Sequence, residues 1–218
     1  MGEPGTLIKF GQREHLLRLR DEGLFYMNNL PYFWKIEDDE LRGDPFDCVA
    51  EVARGPRISF PSADGKEVFM EGDWTLRMHP SEPEKINIFC MYALRPLTEG
   101  TFPINERNFL FGEHALVLMN RDEFMRRIEL TLKSQKIVAK ANLVEYVDND
   151  YTGKIGPFRK LRMFSYQSEW RLICKDGPGG PREITIGSIR DISEIIRSDE
   201  INKEITVHFE QESAPDRR

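Results

Sequence analysis

The chain has 218 residues, 39% hydrophobic and 31% charged, with a formal net charge of −6. That balance describes a soluble globular protein and excludes a disordered one, and it gives no general grip on nucleic-acid backbone, which needs clustered Lys and Arg. No apolar stretch approaches the 18 residues of a membrane span, the amino terminus lacks a charged-then-apolar leader, and three scattered cysteines (Cys48, Cys90, Cys174) read as free thiols in a reducing compartment, so no membrane partner and a cytoplasmic location are expected.

In chain order, Leu7–Phe10 reads as a first strand. Gln12–Glu22 reads as a helix with Leu16 and Leu19 inward and Gly23 as its C-cap. Leu24–Asn28 is a second strand, followed by a turn at Asn28–Pro31 and a helical turn with Tyr32, Phe33 and Ile36 on its apolar side. The stretch from Glu37 to Glu51 is rich in Asp and Glu, and Gly43-Asp44-Pro45 within it must turn. Strands are expected at Glu67–Met70 and Thr75–Met78. Lys85–Leu94 is the most strongly β-like run, apolar on both faces except at Asn87, which predicts a central strand.

Pro96–Asn108 reads as a long loop, Ala115–Met119 as a buried strand, and Asn120 as the cap of a helix over Arg121–Lys133 with Phe124, Ile128 and Leu132 inward. Ile137–Val147 reads as one long strand, and Asp148–Pro157, polar and rich in Gly and Asp, as a mobile loop. After a turn at 177–181 comes a short strand at Ile184–Ile186. Ile189–Ile196 is then expected to be a short helix and Ile201–Phe209 a last strand. The sum is one α+β domain over residues 1–210, with a disordered tail at 211–218.

The most informative segment is Phe164–Lys175. Read as a strand, it sends Ser168, Trp170, Leu172 and Cys174 one way and Gln167, Glu169 and Arg171 the other. Gln-x-Glu then sets an amide beside a carboxylate on one polar face, an arrangement able to anchor a sugar hydroxyl or stabilise a cation. The competing reading of Glu169 is an inert strand carboxylate paired with Arg171. Asp44 reads either as a site residue or as a turn residue bonded to its own backbone. Arg159, Lys160 and Arg162 form a candidate local basic groove for nucleic-acid contact.

Strand, helix, Gly, aromatic strand and, much later, a Gln-x-Glu strand together resemble the ADP-ribosyltransferase fold, in its toxin-like branch. The whole chain is also similar to a family of uncharacterised bacterial proteins with a turn like Gly43-Asp44-Pro45-Phe46-Asp47 and a late strand like Glu169-Trp170-Arg171-Leu172. The first resemblance implies a split, mixed or antiparallel β-core with a few short helices. It also implies transfer of ADP-ribose from NAD to a protein or nucleic-acid acceptor, of toxin or phage-defence type, without a metal. Glu169 would be catalytic with Gln167 as its partner. Lys9, Phe10, Gly11, Tyr26, Asn28, Tyr32 and Arg42 would bind NAD, Lys9 or Arg42 at the pyrophosphate and an aromatic ring on nicotinamide. Two alternatives stand beside it: a non-enzymatic binding module on the same core, and a metal-dependent nuclease using Asp44 or Asp47 with Glu169.

Overall fold

The computed structural model describes residues 5–35, 44–95 and 100–205. It is a mixed α+β fold, mostly antiparallel sheet with a few short helices. Strand β1 (Thr6–Gly11), helix α1 (Arg13–Glu22), strand β2 (Leu24–Asn29) and helix α2 (Leu30–Trp34) follow the predicted order. Leu16 and Leu19 are the buried side chains of α1, and Gly23 ends it at φ 68°, where a side chain would collide with the Gly187 backbone. Asn29 caps α2 by accepting from the Tyr32 N–H at 3.3 Å.

The stretch before Met78 holds a hairpin, β3 (Glu51–Pro61) with β4 (Glu67–Met78). Sequence reasoning found two short strands where β4 runs unbroken, and it missed β3. Gly55, Pro56 and the exposed polar residues Arg57 and Ser59 mask its alternation, and a register shift between Gly55 and Arg57 interrupts the pairing.

Strand β5 (Asn87–Leu94) is the organising element. Phe89, Met91 and Ala93 enter the main core with Leu7, Leu16, Phe25, Phe124 and Trp170, while Ile88 and Tyr92 enter separate clusters on the opposite face. Two-sided burial explains its unbroken apolar run. After β5 come β6 (His114–Leu118) and α3 (Arg121–Ser134), whose Asn120 cap accepts from the Glu123 N–H at 3.0 Å. The expected single strand over 137–147 is two, β7 (Ala139–Leu143) and β8 (Glu145–Val147), broken at Val144, whose N–H turns to the Glu169 carbonyl. Within the expected 148–157 loop lies β9 (Gly153–Lys154), which pairs with β3.

Next come β10 (Arg159–Leu161), β11 (Glu169–Cys174) and β12 (Arg182–Thr185). The last described part reverses the expected order: a 3-10 turn at Arg190–Ile192 leads into β13 (Ser193–Arg197), and Ile201–Glu204 is a short helix, α4. Strand β13 forms because it can close the free edge of β6 over five residue pairs. Tertiary pairing overrode the helical spacing there. The 211–218 tail and the end of the expected last strand lie outside the described residues.

The large sheet runs β12-β2-β5-β1-β6-β13, with β11 on the other side of β5 and β7 beyond it. On one edge β5 pairs along its length with β11, Asn87 to Tyr92 facing Cys174 to Glu169. Its other edge is shared. Asn87 and Ile88 pair with β2, whereas Tyr92 to Leu94 pair with β1. Between them, at Phe89–Met91, β1 and β2 part, and helix α1 connects the two diverging strands. The split positions the site.

Candidate functional site

A cavity of about 840 Å³ opens at this split. One wall carries Lys9, Phe10 and Gly11 from β1 with Tyr26 and Asn28 from β2 and Tyr32 from α2; the opposite wall carries Asp47, Lys160, Gln167, Glu169 and Arg171. The structure therefore brings together every NAD-contact residue expected from the sequence except Arg42, which lies outside the described residues. Glu169 and Gln167 face the same cavity.

Gln167 and Glu169 do not reach it from one strand. Residues Arg162–Gln167 form a 3-10 turn, Ser168 takes a left-handed conformation at φ 39°, and β11 begins only at Glu169. Ser168 donates to the Ala93 carbonyl at 2.7 Å and Asn108 Nδ2 to the Tyr166 carbonyl at 2.8 Å, anchors that alternation alone does not signal. The alternation of β11 itself holds: Trp170, Leu172 and Cys174 enter the main core, while Glu169 and Arg171 turn to the cavity.

The charged wall is a quartet of three buried side chains, Lys160, Glu169 and Arg171, with the partly buried Asp47. Arg171, 1% exposed, donates from Nε to Glu169 Oε2 at 2.7 Å, from Nη1 to Asp47 Oδ1 at 2.7 Å and from Nη2 to Asp47 Oδ2 at 3.0 Å. The fork on Asp47 is bidentate, the geometry for which guanidinium is pre-shaped. Lys160 donates to Glu169 Oε1 at 2.9 Å and to Gln167 Oε1 at 2.6 Å, and lies 3.3 Å from Asp47 Oδ2. Two cations thus alternate with two carboxylates.

Burial pushes the Glu169 and Asp47 carboxyls up, but the neighbouring Arg171 and Lys160 outweigh it and hold both below the usual carboxylate range. Burial likewise pulls Lys160 down, and Asp47 and Glu169 more than reverse this. All four groups stay charged at neutral pH. Asp47 and Glu169, weighed above as metal ligands for a nuclease, are bridged by Lys160 and Arg171. The pairing of Glu169 with Arg171, the competing reading of that strand, is present.

The expected local basic groove fails at Lys160, whose side chain is buried. Arg159 pairs with Glu145 and Arg162 with Asp148, so each cation of the stretch meets a carboxylate. Strand β10, pairing in parallel with β8, is what turns Lys160 inward. Local sequence gives no signal for this, because a Lys within Arg159-Lys160-Leu161-Arg162 looks solvated. Asp47, expected only as an alternative metal ligand, is instead the carboxylate that pairs Arg171 and Lys160.

Asp44 shows the turn reading and does not line the cavity: its Oδ1 accepts from the Phe46 N–H at 2.9 Å, while Oδ2 is buried without a hydrogen-bond partner among the described residues. Burial, reinforced by Asp47, pushes its carboxyl up to about 6. Cys48 Sγ lies 3.2 Å from Arg171 Nη1, yet burial first and then Asp47 push this thiol well up, so it is not a thiolate nucleophile.

On the facing wall, Lys9 Nζ donates to the Cys90 carbonyl at 2.7 Å, a backbone acceptor in the gap between β1 and β2, and sits 4.8 Å from the Phe89 ring centroid. Its ammonium helps hold the split. Phe10 is buried and meets Tyr92 edge-on at 6.2 Å. Tyr26 and Tyr32 are 51% and 43% exposed, at the cavity's rim. Gly11 lies against Gly112 so closely that a side chain on Gly112 would overlap the Gly11 backbone. Among the described residues no helix is long and apolar enough to cross a membrane. No protein-family model, curated protein or solved structure matches this chain.

Proposed function

We propose that the cavity binds NAD and that the protein transfers ADP-ribose from it, in the manner of an ADP-ribosyltransferase. The observation supporting this reading is the single cavity joining Glu169 and Gln167 to Lys9, Phe10, Gly11, Tyr26, Asn28 and Tyr32. Its volume of about 840 Å³ is in the range of cofactor sites. In the reaction the bond from ribose C1′ to nicotinamide nitrogen breaks, with its electron pair leaving on nicotinamide. An acceptor lone pair closes on C1′, and the acceptor's proton passes to water.

Positive charge on C1′ and the ring oxygen is the difficulty in that step, and a fixed carboxylate nearby lowers it. Glu169 suits the task because its ion pairs keep it ionised. Each carboxylate oxygen can accept two hydrogen bonds, so one from Lys160 and one from Arg171 leave capacity for a ribose hydroxyl. The same ion pairs make Glu169 a poor proton donor, so its role is electrostatic. Tyr26 and Tyr32 offer exposed rings on which a flat heterocycle stacks.

A second reading is favoured by one observation: both oxygens of Glu169 are already held by cations. A quartet neutralised from within also suits a binding module that uses the cavity without chemistry. Incubation with NAD labelled in the adenylate separates the two. Transfer of label to protein or nucleic acid supports the enzyme; NAD binding without transfer supports the module; neither binding nor transfer overturns both.

A further inference from the structure

The cavity at the β1–β2 split has a charge opposite in sign to that of the chain. Among the described residues that line it, and with histidine neutral, Lys9, Arg18, Lys160 and Arg171 stand against Asp47 and Glu169. That is an excess of two positive charges in a chain whose formal net charge is −6. The quartet cancels within itself. The excess therefore lies with Lys9, whose ammonium donates to the Cys90 carbonyl, and with Arg18 on α1.

Arg18 is fixed at its backbone while its guanidinium keeps its donors. Its carbonyl accepts from the Gly23 N–H at the C-cap of α1, and Leu16 and Leu19 beside it are buried. Its side chain is 52% exposed, and its ion pair with the equally exposed Glu22 is 3.8 Å long. Such a surface pair contributes little and yields to a better anion. Among the described residues the Arg18 guanidinium makes no hydrogen bond. His15 and the N-cap residue Gln12, three and six residues earlier, also line the cavity, so one flank of α1 faces it.

We infer that Arg18 is the anion-binding residue of the cavity, and that its ligand is a phosphate or diphosphate ester seated along the Gln12–His15–Arg18 flank of α1. A guanidinium presents paired N–H donors that match two phosphate oxygens, and the excess charge matches a diphosphate dianion. Arg18 supplies the fork, and Lys9 supplies charge from beneath. The choice of a nucleotide as the ester rests on the transfer reading; the preference for an anion does not.

Calorimetric titration of the full chain with ADP-ribose, adenosine and inorganic pyrophosphate tests this. Wild type should bind ADP-ribose and pyrophosphate, and ADP-ribose more tightly than adenosine. Arg18→Gln should bind both anions about 10- to 100-fold more weakly, the worth of hydrogen bonds to a charged group. Arg18→Lys, which keeps the charge and loses the fork, should fall between. Adenosine binding and both melting temperatures should stay as in wild type, because the site is exposed and Gln and Lys are good helix formers. The inference is overturned by equal affinity of wild type and Arg18→Gln for the two anions, by an equal loss for adenosine, or by wild type binding neither anion. Wild type binding adenosine as tightly as ADP-ribose also overturns it, and that comparison needs no variant to fold. Pyrophosphate binding that is lost in Arg18→Gln, without any binding of NAD, would instead overturn the transfer reading and leave this inference standing.

Discussion

Arg171 and Asp47, 124 residues apart, are joined by two parallel hydrogen bonds of 2.7 and 3.0 Å in the charged wall of the cavity. One partner belongs to the late Glu-Trp-Arg-Leu strand and the other to the early Gly-Asp-Pro-Phe-Asp turn. The two segments that stood out in the sequence thus meet through their charges. Each charge is retained because its two opposite neighbours outweigh burial and the remaining like charge.

Removal of one member should therefore be costly. Arg171→Met leaves Asp47 with Lys160 alone and strips one oxygen of Glu169, with both carboxylates still largely buried. Breaking such a pair costs about 3–5 kcal/mol. Urea denaturation of wild type and variant is expected to show that loss with little change in slope. The double variant Arg171→Met, Asp47→Leu should recover part of it.

Asp44 predicts the opposite sign. Its carboxyl ionises at about 6 in the folded chain and near the ordinary 3.8 when unfolded. The folded state holds the proton more tightly, so this residue's contribution to stability is full below the unfolded value and is lost as pH rises through about 6. Asp44→Asn keeps an oxygen for the Phe46 N–H and removes the buried charge. It should stabilise the protein by roughly 2–3 kcal/mol at pH 8 and by almost nothing at pH 4. Melting temperatures across that range check it, and an equal effect at both ends would contradict it.

Glu169 and Asp47 give the ordinary acid response. Their folded values lie below the unfolded ones, so the stability they supply is present above about 4.5 and is lost as pH falls below it. Glu169→Gln should flatten the acid limb of a stability–pH profile and leave the Asp44 limb near pH 6 in place.

The strands and helices nearest the cavity were legible in the sequence, and its charged wall was not. Strand β5 announced itself by apolar residues on both faces, α3 by Asn120 and its inner stripe, and α1 by Leu16, Leu19 and Gly23. Glu169 and Gln167 were found by alternation, although Gln167 arrives from a 3-10 turn that alternation cannot describe. Lys160 escaped because its burial depends on the β8–β10 pairing and on two carboxylates distant in sequence. Pairing of that kind is a tertiary fact, and none of Arg159, Leu161 and Arg162 encodes it locally.

Tyr26 and Tyr32 are exposed, so their loss should be felt by a ligand and not by the fold. Base stacking on an aromatic ring is worth about 1–3 kcal/mol. Tyr26→Ala, Tyr32→Ala or both should weaken NAD binding by roughly tenfold per stacking ring with melting temperature unchanged. Calorimetric titration reads the first quantity and differential scanning the second.

In the proposed reaction Glu169, held ionised by Lys160 and Arg171, stabilises the charge that develops when NAD loses nicotinamide. Adenylate-labelled NAD incubated with wild type and with Glu169→Gln tests this. The predicted result is transfer of label by wild type and a loss of about 100-fold or more in Glu169→Gln with NAD binding kept, as for removal of one electrostatic contact to a transition state. Transfer at an equal rate in both, or no NAD binding by wild type, would contradict it.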